Sequence, residues 1–129
     1  MTWWNPDELE SRTREMFQGM ITDLDARSRP YSVDSSEVDE ELMTLFQEHI
    51  RGIVSPLLSA ISERSEMDIR REAHSLLGMG GTIGVPTLSV VAEELSAGAK
   101  RGDYSRCREL AERLQEWVRV CFKPCGTEL

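Results

Sequence analysis

Apolar side chains recur every three or four residues along almost the whole chain, and strand-like alternation is nearly absent. This spacing gathers apolar residues on one face of a helix and therefore predicts an all-α protein. Because the chain has 129 residues, it can build a single hydrophobic core but is too short for two domains. We therefore expect one helical domain.

Capping and turn residues divide the chain into an N-terminal helix and four further helices. The first helix begins at Asn5, and a linker over 26–36 follows it. Pro56 lies inside the second helix, where we expect a kink or a break. Gly84 and Gly102 end the third and fourth helices. Amphipathic helices joined by short turns predict an antiparallel four-helix bundle, with the N-terminal helix as an additional element.

Three parts result from this division. Residues 1–30 form an N-terminal helix or arm, residues 36–121 the four-helix bundle, and residues 122–129 a C-terminal tail. Two roles remain open for the arm: it covers an end of the bundle, or it uses the linker to reach a partner or a second copy. We expect a monomer, with a dimer through the N-terminal helix as the alternative.

The net charge of −8 disfavours nucleic acid and anionic membrane surfaces as partners, since both attract basic patches. No stretch approaches the roughly 20 apolar residues of a membrane span, and the first residues lack the basic and apolar regions of a signal peptide. The sequence therefore predicts a cytoplasmic protein that binds neither nucleic acid nor membrane.

No metal site is recognisable among the histidines and cysteines. Carboxylate metal sites in four-helix bundles need a glutamate three residues before a histidine, but Arg71 precedes His74 and Phe46 precedes His49 at that distance. Two of the three cysteines fall on the apolar stripe of the last helix, and no CxxC pair occurs, so they are predicted core residues. We expect His49 to border the core of the second helix.

The stretch AHSLLGMGGTIG, residues 73–84, combines one histidine with four glycines. At about 100° per residue, His74 lies roughly 130° from the centre of the apolar face, so we expect an exposed imidazole. Gly78 and Gly81 follow on its side and leave a flat approach to the ring, whereas Gly80 faces inward and permits close helix packing. The alternative is that the glycines only help to end the helix.

An exposed histidine with an open approach suits a phosphoryl carrier. An imidazole with the ordinary pKa of about 6.5 is largely neutral at cellular pH and offers one nitrogen as a nucleophile. Arg70 and Arg71, one turn upstream of His74, are candidates for stabilising a bound phosphoryl group.

The motif AHSLLG, with Gly84 ten residues after the histidine and the acidic helix LSVVAEEL beyond, resembles the histidine phosphotransfer (HPt) domain family over about residues 36–120. The resemblance implies that His74 accepts a phosphoryl group from a receiver-domain aspartate and passes it to another receiver. The implied partners are response-regulator receiver domains and a hybrid histidine kinase. Such a carrier has no nucleotide-binding or autokinase activity and no cofactor of its own, because the receiver supplies Mg²⁺.

One position departs from the family pattern A-H-x-L-K-G, because Leu77 stands where a lysine is usual. Either Arg70, Arg71 or a cation on the partner replaces the lysine, or transfer is slower. Alternatively, Leu77 forms an apolar docking patch with Gly78 and Gly81. The chain is then a phosphorylation-independent docking or inhibitory module that binds a receiver or a histidine kinase.

Overall fold

A computed structural model describes residues 5–31 and 38–121, and the described residues form six α-helices and no β-strand. This confirms the predicted all-α fold. A 3₁₀ turn, Arg29–Tyr31, follows the second helix. The helices are α1 (Pro6–Phe17), α2 (Leu24–Ser28), α3 (Glu40–Ser62), α4 (Glu66–Ile83), α5 (Pro86–Arg101) and α6 (Tyr104–Cys121).

Helices α3 to α6 form the bundle, in which α3 packs against α4 and α6, and α5 packs against the same two helices. Short turns connect α3 to α4, α4 to α5 and α5 to α6, as expected for antiparallel neighbours. None of the described helices combines the length and the apolar character that a membrane span requires.

Local sequence signals set the helix ends. Four helices begin with a side chain that accepts a hydrogen bond from the backbone N–H three residues later, as an N-cap does. These residues are Asn5, Asp39, Ser65 and Asp103. Gly84 and Gly102 have φ angles of 76° and 74° at the ends of α4 and α5, a left-handed conformation in which a Cβ atom would be strained.

The N-terminal helices pack along the side of the bundle formed by α5 and α6 rather than across one end. Phe17 of α1 is fully buried. The Glu10 carboxylate accepts hydrogen bonds from the backbone N–H (3.1 Å) and the hydroxyl (2.6 Å) of Thr87 at the start of α5. Arg106 of α6 donates to the backbone carbonyl of Met20. Apolar and polar contacts therefore both attach this segment to the bundle.

The predicted linker is partly helical. Residues 26–28 complete α2 and residues 29–31 form the 3₁₀ turn, while 32–36 lie outside the described residues. The reason is tertiary, since Ser28 is buried and the side chains of Arg27 and Tyr31 bond to carboxylates on α5. The boundary expected at residue 36 and the tail over 122–129 also fall outside the described residues.

The break that was one of the two outcomes expected at Pro56 is contradicted, because α3 continues through this residue. Gly52 and Pro56 are both exposed, so the carbonyl that loses its helical partner can bond to water. His49 is exposed instead of bordering the core, and Leu45, one turn before it, is 59% exposed. The apolar Leu45 made the predicted core face of α3 too wide.

The predicted core positions of Cys107 and Cys121 are confirmed, because both are buried in α6. Burial raises the pKa of both thiols, which lowers the fraction of reactive thiolate. Both cysteines therefore act as small core side chains.

Candidate functional site

His74 lies in the middle of α4 with its side chain exposed, as the helical spacing predicted. Its neighbour Ala73 is buried on the core side, about 100° round the helix from His74. The buried residues of α4 are Ile69, Ala73, Leu76, Gly80 and Ile83. Since these five residues hold the helix against the bundle, core packing sets the position of the helix backbone that carries His74.

The glycines of α4 have opposite surroundings. A Cβ atom at Gly80 would lie 2.8 Å from the hydroxyl oxygen of Ser89 and 3.1 Å from the Cβ of Leu88, so a glycine is required for the close contact of α4 with α5. A Cβ atom at Gly78 or Gly81 would meet nothing within 4 Å. Space beside the exposed face of α4 is therefore open.

A groove of about 700 Å³ lies between α4 and α5 next to His74. It is apolar at Met67, Leu77 and Ala92, and Met67 is 77% exposed. Charged groups lie at Glu66 and Arg70 of α4 and at Glu93 of α5. The complete lining is Glu66, Met67, Arg70, Ala73, His74, Leu77, Ala92, Glu93 and Ser96. A partner that reaches the imidazole would contact both apolar and charged side chains.

The family model described as Hpt domain matches residues 41–119, which is more than half of the chain. This chain belongs to the Hpt domain family. Hpt domains carry out histidine phosphotransfer in two-component phosphorelays and interact with receiver domains and histidine kinases. No curated protein and no solved structure matches the chain. The match covers the four-helix bundle and leaves out α1 and α2.

The structure brings some of the predicted site residues of this Hpt domain together and separates others. Arg70 and Leu77 share the groove with His74, whereas Arg71 does not line it. Arg70 pairs with Glu66 at 3.3 Å inside the groove, and Arg71 is 64% exposed and pairs with Asp68 at 2.8 Å. Leu77, at the position of the family lysine, contributes an apolar side chain and leaves Arg70 as the cation of the α4 wall.

Sequence reasoning did not assign six of the nine groove residues to the site, and Met67 and Glu93 are the two that matter most for its chemistry. Met67 could have been found, because positions 67, 70, 74 and 77 follow the helical spacing of one exposed face. Glu93 entered the sequence analysis only as part of the acidic stretch LSVVAEEL, and its place opposite α4 depends on how α5 packs. No local sequence signal reports that packing.

Two carboxylates on α5 connect the four-helix bundle to residues 5–31, called the N-terminal segment below. The Arg27 guanidinium lies 3.2 Å from Oε1 of Glu93 and 2.7 Å from Oε2 of Glu94. The Tyr31 hydroxyl donates to Oε2 of Glu93. Arg106 lies 3.3 Å from Oε1 of Glu94. Burial raises the pKa of Glu94, but hydrogen bonds from Arg27 and Arg106 outweigh it and hold that pKa below its usual value.

Proposed function

We propose that this Hpt domain is a phosphoryl carrier in which His74 accepts a phosphoryl group from a receiver-domain aspartate and passes it to a second receiver. The observation that carries the proposal is an exposed imidazole on a helix face that Gly78 and Gly81 leave open. A receiver could place its aspartyl phosphate against the ring without displacing any side chain at these two positions.

The proposed step is a direct transfer. The unprotonated ring nitrogen of His74 attacks phosphorus, the bond from phosphorus to the aspartate oxygen breaks, and aspartate leaves as a carboxylate. The other ring nitrogen keeps its proton. Phosphoryl transfer depends on positioning and electrostatic stabilisation, so the carrier contributes an oriented imidazole, while Mg²⁺ belongs to the receiver. Transfer to the second receiver is the reverse reaction.

Arg70 is the proposed phosphoryl-stabilising residue of this chain, because it lies one turn before His74 and lines the same groove. Arg71 supports the reaction only from outside the groove. Leu77, Gly78 and Gly81 are the proposed docking residues. α1 uses its apolar face against α5 and α6, which supports a monomer as the acting form. Such a relay would operate in the cytoplasm.

The second candidate function is a docking or inhibitory module that binds a receiver or a histidine kinase without being phosphorylated. Leu77 in place of the usual lysine favours it, since an exposed Met67 and a half-buried Leu77 give the groove an apolar character suited to binding. The two functions differ in whether His74 forms a covalent bond.

The test is incubation of the full chain with phosphorylated receiver domains and Mg²⁺, followed by intact mass. The carrier function predicts the gain of one acid-labile phosphoryl group, which His74→Gln abolishes. His49→Gln is the matched control, because His49 is also an exposed helical histidine but lies on α3, outside the groove. A receiver that binds the chain yet never transfers to it would instead establish the docking module.

A further inference from the structure

Glu93 belongs to two parts of the molecule at once. It lines the groove of His74 from the α5 side, and its side chain remains 40% exposed. Both of its carboxylate oxygens are also bonded to the N-terminal segment, since Arg27 contacts Oε1 and the Tyr31 hydroxyl donates to Oε2. The N-terminal segment therefore controls a charged group of the candidate site.

The charge of Glu93 matters because both the phosphoryl donor and the phosphorylated product of the proposed reaction are anionic. A phosphoryl donor and a phosphohistidine both carry negative charge, and a free carboxylate in the same groove repels them. In the structure, two guanidinium groups, Arg27 and Arg106, face the two carboxylates Glu93 and Glu94. The network is thus balanced in charge. Loss of either bond to Glu93 would leave its carboxylate less tightly held in the network, with more of its negative charge facing the groove.

From this geometry we infer that Tyr31 and Arg27 are positioning residues for phosphotransfer, which hold the Glu93 carboxylate in the network and so keep the groove open to an anionic phosphoryl group. The inference rests on the proposed function of His74. Both residues lie before residue 41, where the match to the family begins. The N-terminal segment accordingly sets the position of the Glu93 carboxylate at the groove, which the four helices of the bundle do not do by themselves.

The experiment measures phosphorylation of His74 in the full chain by phosphoramidate, a small anionic donor that requires no receiver. The ring nitrogen attacks phosphorus and ammonia leaves. Tyr31→Phe keeps the ring in place and removes one bond to Glu93, and should slow loading roughly twofold to fivefold, the size of effect expected for a partly exposed charge. Arg27→Gln should slow it at least as much, whereas Glu93→Gln should load no more slowly than the wild type.

The double variant Tyr31→Phe with Glu93→Gln separates positioning from structure. If Tyr31 acts through the Glu93 charge, the double variant loads as fast as Glu93→Gln alone. If Tyr31 only holds the segment in place, the loss persists in the double variant and the inference fails. Tyr104→Phe, at a half-buried tyrosine of α6 outside the groove, should load like the wild type.

Parallel reactions with phosphorylated receivers distinguish this inference from the proposed function. Glu93-dependent loading by phosphoramidate, without transfer from any receiver, would support the inference and contradict the carrier function. Equal loading of wild type and Tyr31→Phe would overturn the inference alone, provided that receivers still transfer. A wild-type chain that neither phosphoramidate nor any receiver can load would overturn both. If receivers alone load it, the same variants are compared by their rates of transfer from a receiver, with the same expected order.

Discussion

The indole N–H of Trp117 on α6 donates a 2.8 Å hydrogen bond to the hydroxyl of Thr13 on α1, and both side chains are fully buried. The same hydroxyl donates to the backbone carbonyl of Leu9 at 2.6 Å. This pair joins the N-terminal helix to the bundle inside the core, where a polar group without a partner is costly.

Thr13→Val should lower the free energy of unfolding by about 1–3 kcal/mol, because valine has nearly the same shape but lacks the hydroxyl that accepts the hydrogen bond from the buried indole N–H. Thr44→Val is the matched control, since the Thr44 hydroxyl bonds to the Glu40 carbonyl on the exposed side of α3. It should change the free energy by no more than about 0.5 kcal/mol. Urea denaturation followed by circular dichroism measures both, and equal losses would contradict the role of Thr13.

Gly80→Ala should lower the free energy of unfolding by about 1–3 kcal/mol, because its Cβ atom would overlap Ser89 and Leu88 and push α4 away from α5. Gly78→Ala should instead raise it by up to about 1 kcal/mol, since alanine is the better helix former and the space there is open. The same denaturation measurement compares the two variants. Similar changes in unfolding free energy for the two variants would show that α4 and α5 can move apart without loss of stability.

Local signals predicted most of the fold and the exposure of His74. The caps at Asn5 and Ser65, like the glycines that end α4 and α5, act within one turn of the chain and can be read from sequence. The contact of Arg27 with Glu93 joins residues 66 positions apart. Such contacts depend on how α2 and α5 pack, which is why the helical residues 26–31 and the place of Glu93 were not predicted.

Glu94 should make the stability of the chain depend on pH. Its pKa is lowered in the folded state, so it contributes stability above its ordinary value of 4.5, and this contribution is lost as the pH falls below that value. The difference in unfolding free energy between the wild type and Glu94→Gln should therefore be largest near neutral pH and shrink in acid. In an Arg27→Gln background, which lacks one of the two cations, this difference in unfolding free energy should be smaller. A difference that does not change with pH would contradict a lowered pKa of Glu94 in the folded state.

Arg70→Met should slow phosphoryl transfer to His74 on the order of tenfold, because it removes a cation that lines the groove and can bond to the phosphoryl oxygens. Arg71→Met should change the rate less than about twofold, since Arg71 is exposed outside the groove and pairs with Asp68. Single-turnover transfer from one phosphorylated receiver measures both rates. Equal slowing would mean that only the net charge of the surface matters.

Gly78→Gln tests whether a partner must approach the face of α4 closely. The glutamine side chain would extend into open space, so the fold should persist, but it would stand between the partner and the imidazole. Gly52→Gln is the matched control, because Gly52 also lies in a helix with nothing within 4 Å of its Cβ position, but on α3 rather than one turn after His74 on α4. Receiver binding by calorimetry should weaken roughly tenfold or more for Gly78→Gln, as for a blocked contact at an interface centre, and stay unchanged for Gly52→Gln. Unchanged binding of both would place the docking surface elsewhere on the bundle.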